Sequence, residues 1–466
     1  MSFVKITFLL AFCLFSRLLA AQSANDLVRS GNEKLRRGNY QAAIRDFNEV
    51  LMTDPRNVAA IEGRVLARIK AEDLPGAFND ADQWLRNSPS NHRALTYRGL
   101  VRGKMGDLDG GEADLNRAIA LEPEFAEAFY YRGALKQALG NQRGAITDLE
   151  RAVAIKPDFA MANAELAALL LERGEAEKAE PYLQKAIDAN PSDKTNYATR
   201  GMVRLKQNKP AAAEEDFSKV VALDSTDADA FYQRAVARKA QQQFSGALDD
   251  LNRAIALKRN FEAAYCERGT LRNLTGNYKE ALADYQRAAD LNPYNSNIYF
   301  DMGTAALNMQ DYAAADRYFS TTLMYNYADP EAAFYRGVAR SRNKNYKGAE
   351  ADFSRAIGYR YKDDGVYRER ALARMGQYDY TEAIRDWDKY LAKDSLNSTG
   401  QYFRGLCHFQ TLEWKKAIES FDRALRINPG YEQALLDRAA ARANLKDYTG
   451  AVSDYDAVLQ LNPQSA

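Results

Sequence analysis

The sequence has little of what enzymes use for chemistry, since its 466 residues include only three cysteines and two histidines. His92 and His408 lie far apart, so no Ser-His-Asp or Cys-His arrangement can be assembled around either of them. The chain also lacks a His-Glu-x-x-His string and a glycine-rich phosphate loop. Cys266 and Cys407 belong to no close-spaced metal pattern. We therefore predict that the protein is not an enzyme and has no cofactor and no metal site.

An excess of charge of one sign is also missing, because 64 basic residues stand against 63 acidic ones. Such a balance gives no general field for capturing nucleic acid or anionic lipid, so we expect no nucleic-acid partner. Prolines number only 12, and no low-complexity stretch interrupts the chain, which argues against long disordered segments. No apolar run beyond the first twenty-odd residues is long enough to cross a bilayer, so we expect no transmembrane span in the mature chain.

The first residues differ from everything after them. A short, positively charged start that ends at Lys5 precedes the largely apolar stretch 6–15, and Ala20 and Ala21 supply small residues ahead of Gln22. This order predicts a signal peptide over residues 1–21, cleaved after Ala20 or Ala21. The alternative is an uncleaved membrane anchor, for which the apolar run is short and broken by a serine and Arg17. We expect an exported protein, periplasmic or secreted, and a plan of leader plus repeats typical of bacteria.

A repeat of 34 residues runs through the rest of the chain. A small residue recurs at each step and a second one follows twelve residues later, as with Gly133 and Ala145 in one unit. We predict thirteen repeats without insertion from Ala24 to Ser465, and number positions 1 to 34 within each. The first of these small residues, at position 8, are Gly31, Val65, Gly99, Gly133, Ala167, Gly201, Ala235, Gly269, Gly303, Gly337, Ala371, Gly405 and Ala439. The repeats begin at residues 24, 58, 92, 126, 160, 194, 228, 262, 296, 330, 364, 398 and 432.

Each repeat reads as two short helices. In the unit that begins at Ala126, helical periodicity covers 126–139, Gly140 breaks it, and 145–155 resumes it. Pro157 then ends the second helix, and proline recurs at this register in other repeats. Small residues at positions 8 and 20 suit two helices that cross closely, because larger side chains would push the axes apart. A bulky residue at position 24, such as Leu149, fills the next layer.

These residues carry a resemblance to the tetratricopeptide repeat family, which covers essentially the whole chain after the leader. Small residues at positions 8 and 20, an aromatic residue or leucine at position 24 and proline at position 32 all match its pattern. The resemblance implies an all-α fold, a right-handed α-solenoid that forms one linear domain over 24–465. It also implies a concave groove, lined by the first helix of each repeat, that binds other proteins.

A second pattern places charges at fixed positions of the repeat. Arginine usually occupies position 7, a basic residue position 11, and aspartate position 23, as with Arg268, Arg272 and Asp284. The repeats that lack the aspartate also lack the second basic residue, with Leu170 and Tyr182 as one example, and such paired variation indicates contact. The pattern could form a basic stripe for an anionic ligand. We favour an ion-pair ladder between the two helices, because each repeat supplies its own counter-charge.

The groove that the resemblance implies carries aromatic residues at the fifth and twelfth positions of several first helices. Such side chains on a concave wall could hold apolar segments of a partner. The equally weighted alternative is that they pack against the adjacent repeat. These candidate groove residues are Tyr130, Tyr232, Phe300, Phe334, Tyr402 and Phe409.

The last predicted helix shows Val452, Tyr455, Val458 and Leu459 with nothing in the sequence after it to cover them. We expect this array end to contact a partner or a second copy of the chain. The leading functional hypothesis is therefore a non-enzymatic scaffold or adaptor that binds partner proteins outside the cytoplasm. The alternative is a periplasmic holdase-type chaperone that binds apolar segments of unfolded proteins.

Overall fold

The computed structural model describes residues 24–464, and within them the chain forms 26 α-helices and no strand. The predicted signal peptide, residues 1–21, lies outside the described residues, as do residues 465 and 466. The helices belong to two units, residues 24–241 and 242–464, and the division falls between the two helices of one repeat. Helix pairs therefore recur along the chain as the sequence predicts.

The first unit contains the helices α1 to α13. The helix α1 covers 24–36 of the described residues. The others are α2 Tyr40–Thr53, α3 Val58–Lys70, α4 Leu74–Asn87, α5 His92–Lys104, α6 Leu108–Leu121, α7 Ala126–Ala138, α8 Gln142–Ile155, α9 Ala160–Glu172, α10 Ala176–Ala189, α11 Lys194–Lys206, α12 Pro210–Leu223 and α13 Ala228–Ala240.

The second unit contains the helices α14 to α26. They are α14 Phe244–Leu257, α15 Glu262–Leu274, α16 Tyr278–Leu291, α17 Ser296–Asn308, α18 Tyr312–Tyr325, α19 Pro330–Arg342, α20 Tyr346–Gly358, α21 Gly365–Gly376, α22 Tyr380–Leu391, α23 Ser398–Gln410, α24 Trp414–Ile427, α25 Glu432–Asn444 and α26 Tyr448–Leu461.

Side-chain caps fix where many of the second helices begin. Asp73 precedes α4, and its carboxylate accepts a hydrogen bond of 3.0 Å from the amide of Gly76. This bond satisfies one of the amides that the first turn of a helix leaves unpaired. Glycine suits this place, because a Cβ atom at Gly76 would lie 2.2 Å from the Asp73 carboxylate. Asp107 and Gly110 repeat the arrangement at α6.

The turn between the two helices of a repeat needs a residue with positive φ. Gly140 fills this place with a φ of 76°, which glycine adopts without steric cost. Several repeats use other residues in the same conformation, and Leu412, with a φ of 64°, is one of them. The turn is therefore imposed by the packing of the helix pair and does not depend on a glycine.

Tight packing of position 8 against position 24 sets the distance between paired helices. Gly337 on α19 faces the ring of Phe353 on α20 so closely that a Cβ atom would lie 2.7 Å from it. Val65 and Ala81 occupy the equivalent places on α3 and α4, and both are fully buried. A large residue on one helix therefore accompanies a small one on the other, as expected for close-packed interiors.

Candidate protein-binding face

The charged positions of the repeat form a bidentate ion pair between the two helices. Arg268 on α15 donates to both carboxylate oxygens of Asp284 on α16, from Nε at 2.9 Å and from Nη2 at 2.6 Å. Arg272, one turn further along α15, adds a third bond of 2.6 Å from its Nη1. The Asp284 side chain is only 4 % exposed. A single buried carboxylate thus bridges the two cations that share one face of α15 and offsets part of their repulsion.

The same pair recurs along both units, which confirms the predicted ladder. Lysine replaces the second arginine in one pair, where Lys136 lies 2.8 Å from Asp148. Because the N–H groups of these guanidinium groups are hydrogen-bonded to acceptors within the protein, they are not available as a stripe for an anionic ligand. The bidentate pairs are Arg64–Asp80, Arg98–Asp114, Arg132–Asp148, Arg200–Asp216, Arg268–Asp284, Arg336–Asp352, Arg370–Asp386 and Arg438–Asp454.

The first repeat keeps the aspartate without the arginine at position 7. There Asp46 accepts hydrogen bonds from Ser30 at 2.7 Å and from Lys34 at 2.6 Å. Burial alone would raise the pKa of Asp46, but the hydrogen bonds from Lys34 and Ser30 outweigh it and lower the pKa. The carboxylate therefore stays charged in the folded protein.

Each ladder arginine also reaches the preceding repeat, which the sequence analysis missed. Nη1 of Arg268 donates to Oδ1 of Asn252 on α14 at 2.8 Å, and Nη1 of Arg98 binds Asp82 on α4 at 2.8 Å. The signal was present in the sequence, because position 25 holds only residues with a side-chain acceptor, such as Asn116 and Ser354. One arginine therefore joins three helices of two neighbouring repeats.

Two repeats have replaced the whole network by uncharged residues. In α9 and α10 the three positions hold Leu166, Leu170 and Tyr182, and the two leucines are buried. In α17 and α18 they hold Met302, Ala306 and Tyr318, of which the first two are buried. Uncharged side chains at these positions thus also occur in well-packed repeats.

A third repeat keeps its arginine but loses the aspartate. Arg404 binds the hydroxyl of Ser420 at 3.1 Å, and the neighbouring His408 lies 2.6 Å from Glu413 through its Nδ1. The acceptor for the histidine thus comes from the turn before α24 and not from position 23.

Tyr402 and Tyr130, two of the candidate groove residues, are tied to the repeat that follows them. The hydroxyl of Tyr402 donates to Asp437 on α25 at 2.8 Å, and the ring is only 8 % exposed. Tyr130 is hydrogen-bonded in the same way to Glu165 on α9, and burial chiefly raises the pKa of that carboxyl. The sequence analysis did not predict these bonds, although in both cases a tyrosine at position 5 of one repeat is followed by an acidic residue at position 6 of the next.

The phenylalanines among the candidate groove residues make ring contacts inside the second unit. Phe334 stacks on Tyr361 with ring centroids 4.5 Å apart, and Phe300 meets Tyr335 at 5.8 Å. Phe409 packs edge-on against Trp414 at 4.9 Å. Tyr232, on α13 in the first unit, is half-buried as these three are. Only part of each ring therefore remains for a partner.

At the array end, Val458 differs in solvent exposure from the other three residues that were predicted to contact a partner. Val452, Tyr455 and Leu459 are 57 %, 43 % and 40 % exposed on α26. Val458 is only 2 % exposed, because it points between the last helices and packs in a cluster with Ala441. The prediction is wrong for Val458, which is a core residue.

The remaining chemistry of the described residues is sparse. Burial raises the pKa of the Cys266 and Cys407 thiols to about 12, which keeps them protonated and unreactive. Residues 24–464 contain no group of three or more His, Cys, Asp or Glu side chains arranged to hold a metal ion. In the same stretch, no helix combines the length and the apolar character needed to cross a bilayer.

Models of the tetratricopeptide repeat match most of the sequence. They cover residues 28–92, 135–194, 199–260, 262–295, 300–364, 368–432 and 417–466. The chain belongs to the tetratricopeptide repeat (TPR) family. In similar TPR repeats the ninth position of the first helix faces the groove, and here seven repeats carry a large apolar residue at it that is at least partly exposed. These are Leu66, Leu100, Met202 and Val236 in the first unit and Val338, Leu372 and Leu406 in the second.

Several solved structures are similar to this chain at low sequence identity. YrrB, a TPR protein with an unusual peptide-binding site, is 21 % identical over 40 % of this chain and 95 % of its own, with a TM-score of 0.38. Yeast Tom70 is 17 % identical over 91 % of this chain and 97 % of its own, with a TM-score of 0.36. In the Cut9-Hcn1 hetero-tetramer of APC/C, the similar chain is 14 % identical over 90 % of this chain and 96 % of its own, with a TM-score of 0.40. No curated protein matches the sequence significantly.

Proposed function

We propose that this TPR protein is a non-enzymatic scaffold or adaptor that binds partner proteins outside the cytoplasm. The observation that carries the proposal is the contrast between two rows of the first helices. The arginines at positions 7 and 11 are ion-paired with buried aspartates, while the apolar residues at position 9 remain partly exposed to solvent. An open apolar row between satisfied charges suits an apolar segment of another protein. The location rests on the signal-like order of residues 1–21.

The experiment changes the apolar row at one place. Leu372 lies on α21, is half-buried and occupies position 9 of its repeat, and it is replaced by glutamate. Leu396, which is 77 % exposed in a loop of the same unit, provides the matched control. We expect Leu372→Glu to lower the yield of cross-linked partner in the intact host about tenfold, which corresponds to ~1.4 kcal/mol. Leu396→Glu should leave the yield unchanged. The cross-linked proteins are identified by mass spectrometry after separation of envelope and cytoplasm, and circular dichroism checks that both variants fold.

Several outcomes of this experiment would count against the proposal. Equal yields from the two variants would remove the apolar row from the binding face. Recovery of the protein and its cross-links in the cytoplasm alone would overturn the location. A large set of unrelated, unfolded chains on the wild-type protein would favour the holdase alternative over an adaptor with one stoichiometric partner.

The exposed face of α26 carries a separate expectation. Val452 and Leu459 expose apolar surface there, and we propose that this face takes part in self-association. Sedimentation velocity of the purified protein should show a concentration-dependent shift to a larger species. The variant Val452→Ser/Leu459→Ser should reduce the shift, while Leu396→Ser should not. A strict monomer at every concentration would contradict self-association and leave the adaptor proposal standing.

A further inference from the structure

A cleft of about 540 Å³ lies between α8 and α10, over the last turn of α9. Ile146 and Leu170 form its floor and are only 5 % and 4 % exposed. The rings of Pro181, which is exposed, and Tyr182, which is half-buried, line the wall that belongs to α10. We call this feature the α8–α10 cleft. Its middle offers apolar surface that a bound side chain can cover.

The cleft is open because a bridge that joins the neighbouring second helices is missing here. Between α10 and α12, Arg204 donates to Glu180 at 2.9 Å and to Asp216 at 3.0 Å, and so ties the two helices together. The equivalent positions around the α8–α10 cleft hold three uncharged residues, namely Ile146, Leu170 and Tyr182. No arginine at these positions therefore crosses the space between α8 and α10.

One end of the cleft collects three cations, Arg143, Arg173 and Lys178. Arg143 lies in the first turn of α8, and Lys178 lies in the first turn of α10. A hydrogen bond of 3.2 Å from Gln142 to Glu172 holds the start of α8 against the end of α9. Because these two residues directly precede Arg143 and Arg173, the cations meet at the same end of the cleft.

Only part of this positive charge is offset within the cleft. Glu175, at the same end, lies 2.9 Å from Arg173 and 2.7 Å from Lys178. The guanidinium group of Arg143 is exposed and has no hydrogen-bond or ion-pair partner among residues 24–464. A carboxylate from a partner would therefore find a counter-charge at Arg143.

The opposite end of the cleft carries no net charge. Glu150 on α8 and Lys185 on α10 stand there, two helical turns beyond Arg143 and Lys178. Two turns of helix correspond to about 10 Å, which roughly three or four residues of extended chain can span. Along this length the cleft passes from a basic end through an apolar middle to a neutral end.

We propose that the α8–α10 cleft binds an acidic–apolar segment of a partner protein, with carboxylates at the Arg143 end and an apolar side chain against Pro181 and Tyr182. The unpaired guanidinium group and the excess of cations select carboxylates by charge complementarity. The two rings beside them select the apolar residue. Because exposed residues such as Thr147 leave the cleft open to solvent, it suits a segment that remains part of a larger protein. This inference rests on the proposed function in one respect, namely that the partners of the chain are proteins.

The first experiment selects random heptapeptides displayed on phage against the full chain. A counter-selection uses the triple variant Ile146→Glu/Leu170→Arg/Tyr182→Asp. This variant copies the bridge that Arg204 makes between α10 and α12, and so closes the cleft. We expect the peptides that bind the wild type alone to carry aspartate or glutamate within about three residues of leucine, phenylalanine or tyrosine. Circular dichroism checks that the variant folds. No discriminating peptide, or discriminating peptides that are neutral or basic, would overturn the proposal.

The second experiment measures the affinity of the strongest selected peptide, made synthetically with a fluorescein label, by fluorescence anisotropy. Arg143→Glu should weaken its binding about tenfold, because it sets a carboxylate against the carboxylates of the peptide. Arg151→Glu, at an exposed position of α8 outside the cleft, should leave the affinity unchanged. Equal losses from the two variants would contradict binding in the cleft.

Two further measurements separate the alternatives. Laurate carries a carboxylate on an apolar chain, and it should displace the peptide less readily than unlabelled peptide does. Displacement at a lower concentration of laurate than of unlabelled peptide would overturn the assignment to a protein segment. Leu372→Glu, in the second unit, should not alter the peptide affinity, so failure of the adaptor proposal and failure of the α8–α10 cleft give different results.

Discussion

Replacing Asp284 by alanine is expected to destabilise the helix pair α15–α16 by about 3 kcal/mol. The substitution leaves Arg268 and Arg272 side by side, 15 % and 26 % exposed, without the carboxylate that bridges them. Removing one partner of a buried pair costs more than the pair contributes, because an uncompensated charge remains. Hydrogen exchange of the α15 and α16 amides measures the local free energy of opening, which suits an array that does not unfold in one step.

Two controls separate the lost pair from general effects. Asp290→Ala removes a carboxylate on α16 that is half exposed and 3.7 Å from Arg287, and we expect it to change the opening free energy by less than about 0.5 kcal/mol. The triple variant Arg268→Met/Arg272→Ala/Asp284→Tyr copies the uncharged set of α17 and α18. We expect it to stay within about 1 kcal/mol of the wild type, because well-packed apolar residues can replace a buried ion pair. A triple variant as unstable as Asp284→Ala would contradict this explanation.

Replacing Gly337 by valine is expected to destabilise α19–α20 by about 3 kcal/mol, through overpacking. The added methyl groups have no room, because even a Cβ atom at Gly337 would lie 2.7 Å from the Phe353 ring. Phe353→Ala should also destabilise the pair, by about 3–5 kcal/mol, since it leaves a cavity. The same hydrogen-exchange measurement on the α19 and α20 amides gives both values.

The double variant Gly337→Val/Phe353→Ala tests whether the two positions are coupled. It reproduces the arrangement of Val65 and Ala81, which are both fully buried on α3 and α4. We expect the double variant to cost clearly less than the sum of the single ones, with a coupling of about 2 kcal/mol. Additive costs would mean that the two positions do not share the same space.

The sequence alone predicted the helix pairs and the ladder, because both repeat at a fixed spacing. Helix α8 ends at Ile155, ahead of Pro157, and the arginine and aspartate columns meet as their paired variation indicated. These features depend on contacts within one repeat, so comparing the repeats with one another exposes them.

Contacts between successive repeats were harder to predict. The bond from Arg268 to Asn252 joins columns in different repeats, and position 25 varies among several acceptor types, which hides the pattern. The bond from Tyr402 to Asp437 likewise joins position 5 of one repeat to position 6 of the next. Val458 was assigned to an exposed face because nothing in the sequence after the last helix could cover it, but only packing decides which side of α26 faces the core.

Each ladder arginine bonds to acceptors on two other helices, one of them in the preceding repeat, and these contacts give the array a direction. Arg98 reaches back to Asp82 on α4 and Arg268 reaches back to Asn252 on α14, so the dependence runs towards the amino terminus. A fragment cut ahead of such an arginine leaves a guanidinium group short of an acceptor at its first helix. A fragment that begins at Ala160 or Ser296 avoids this, because Leu166 and Met302 stand in place of the arginine and need no acceptor from the preceding repeat. These two places are therefore the natural starting points for shorter pieces of the protein.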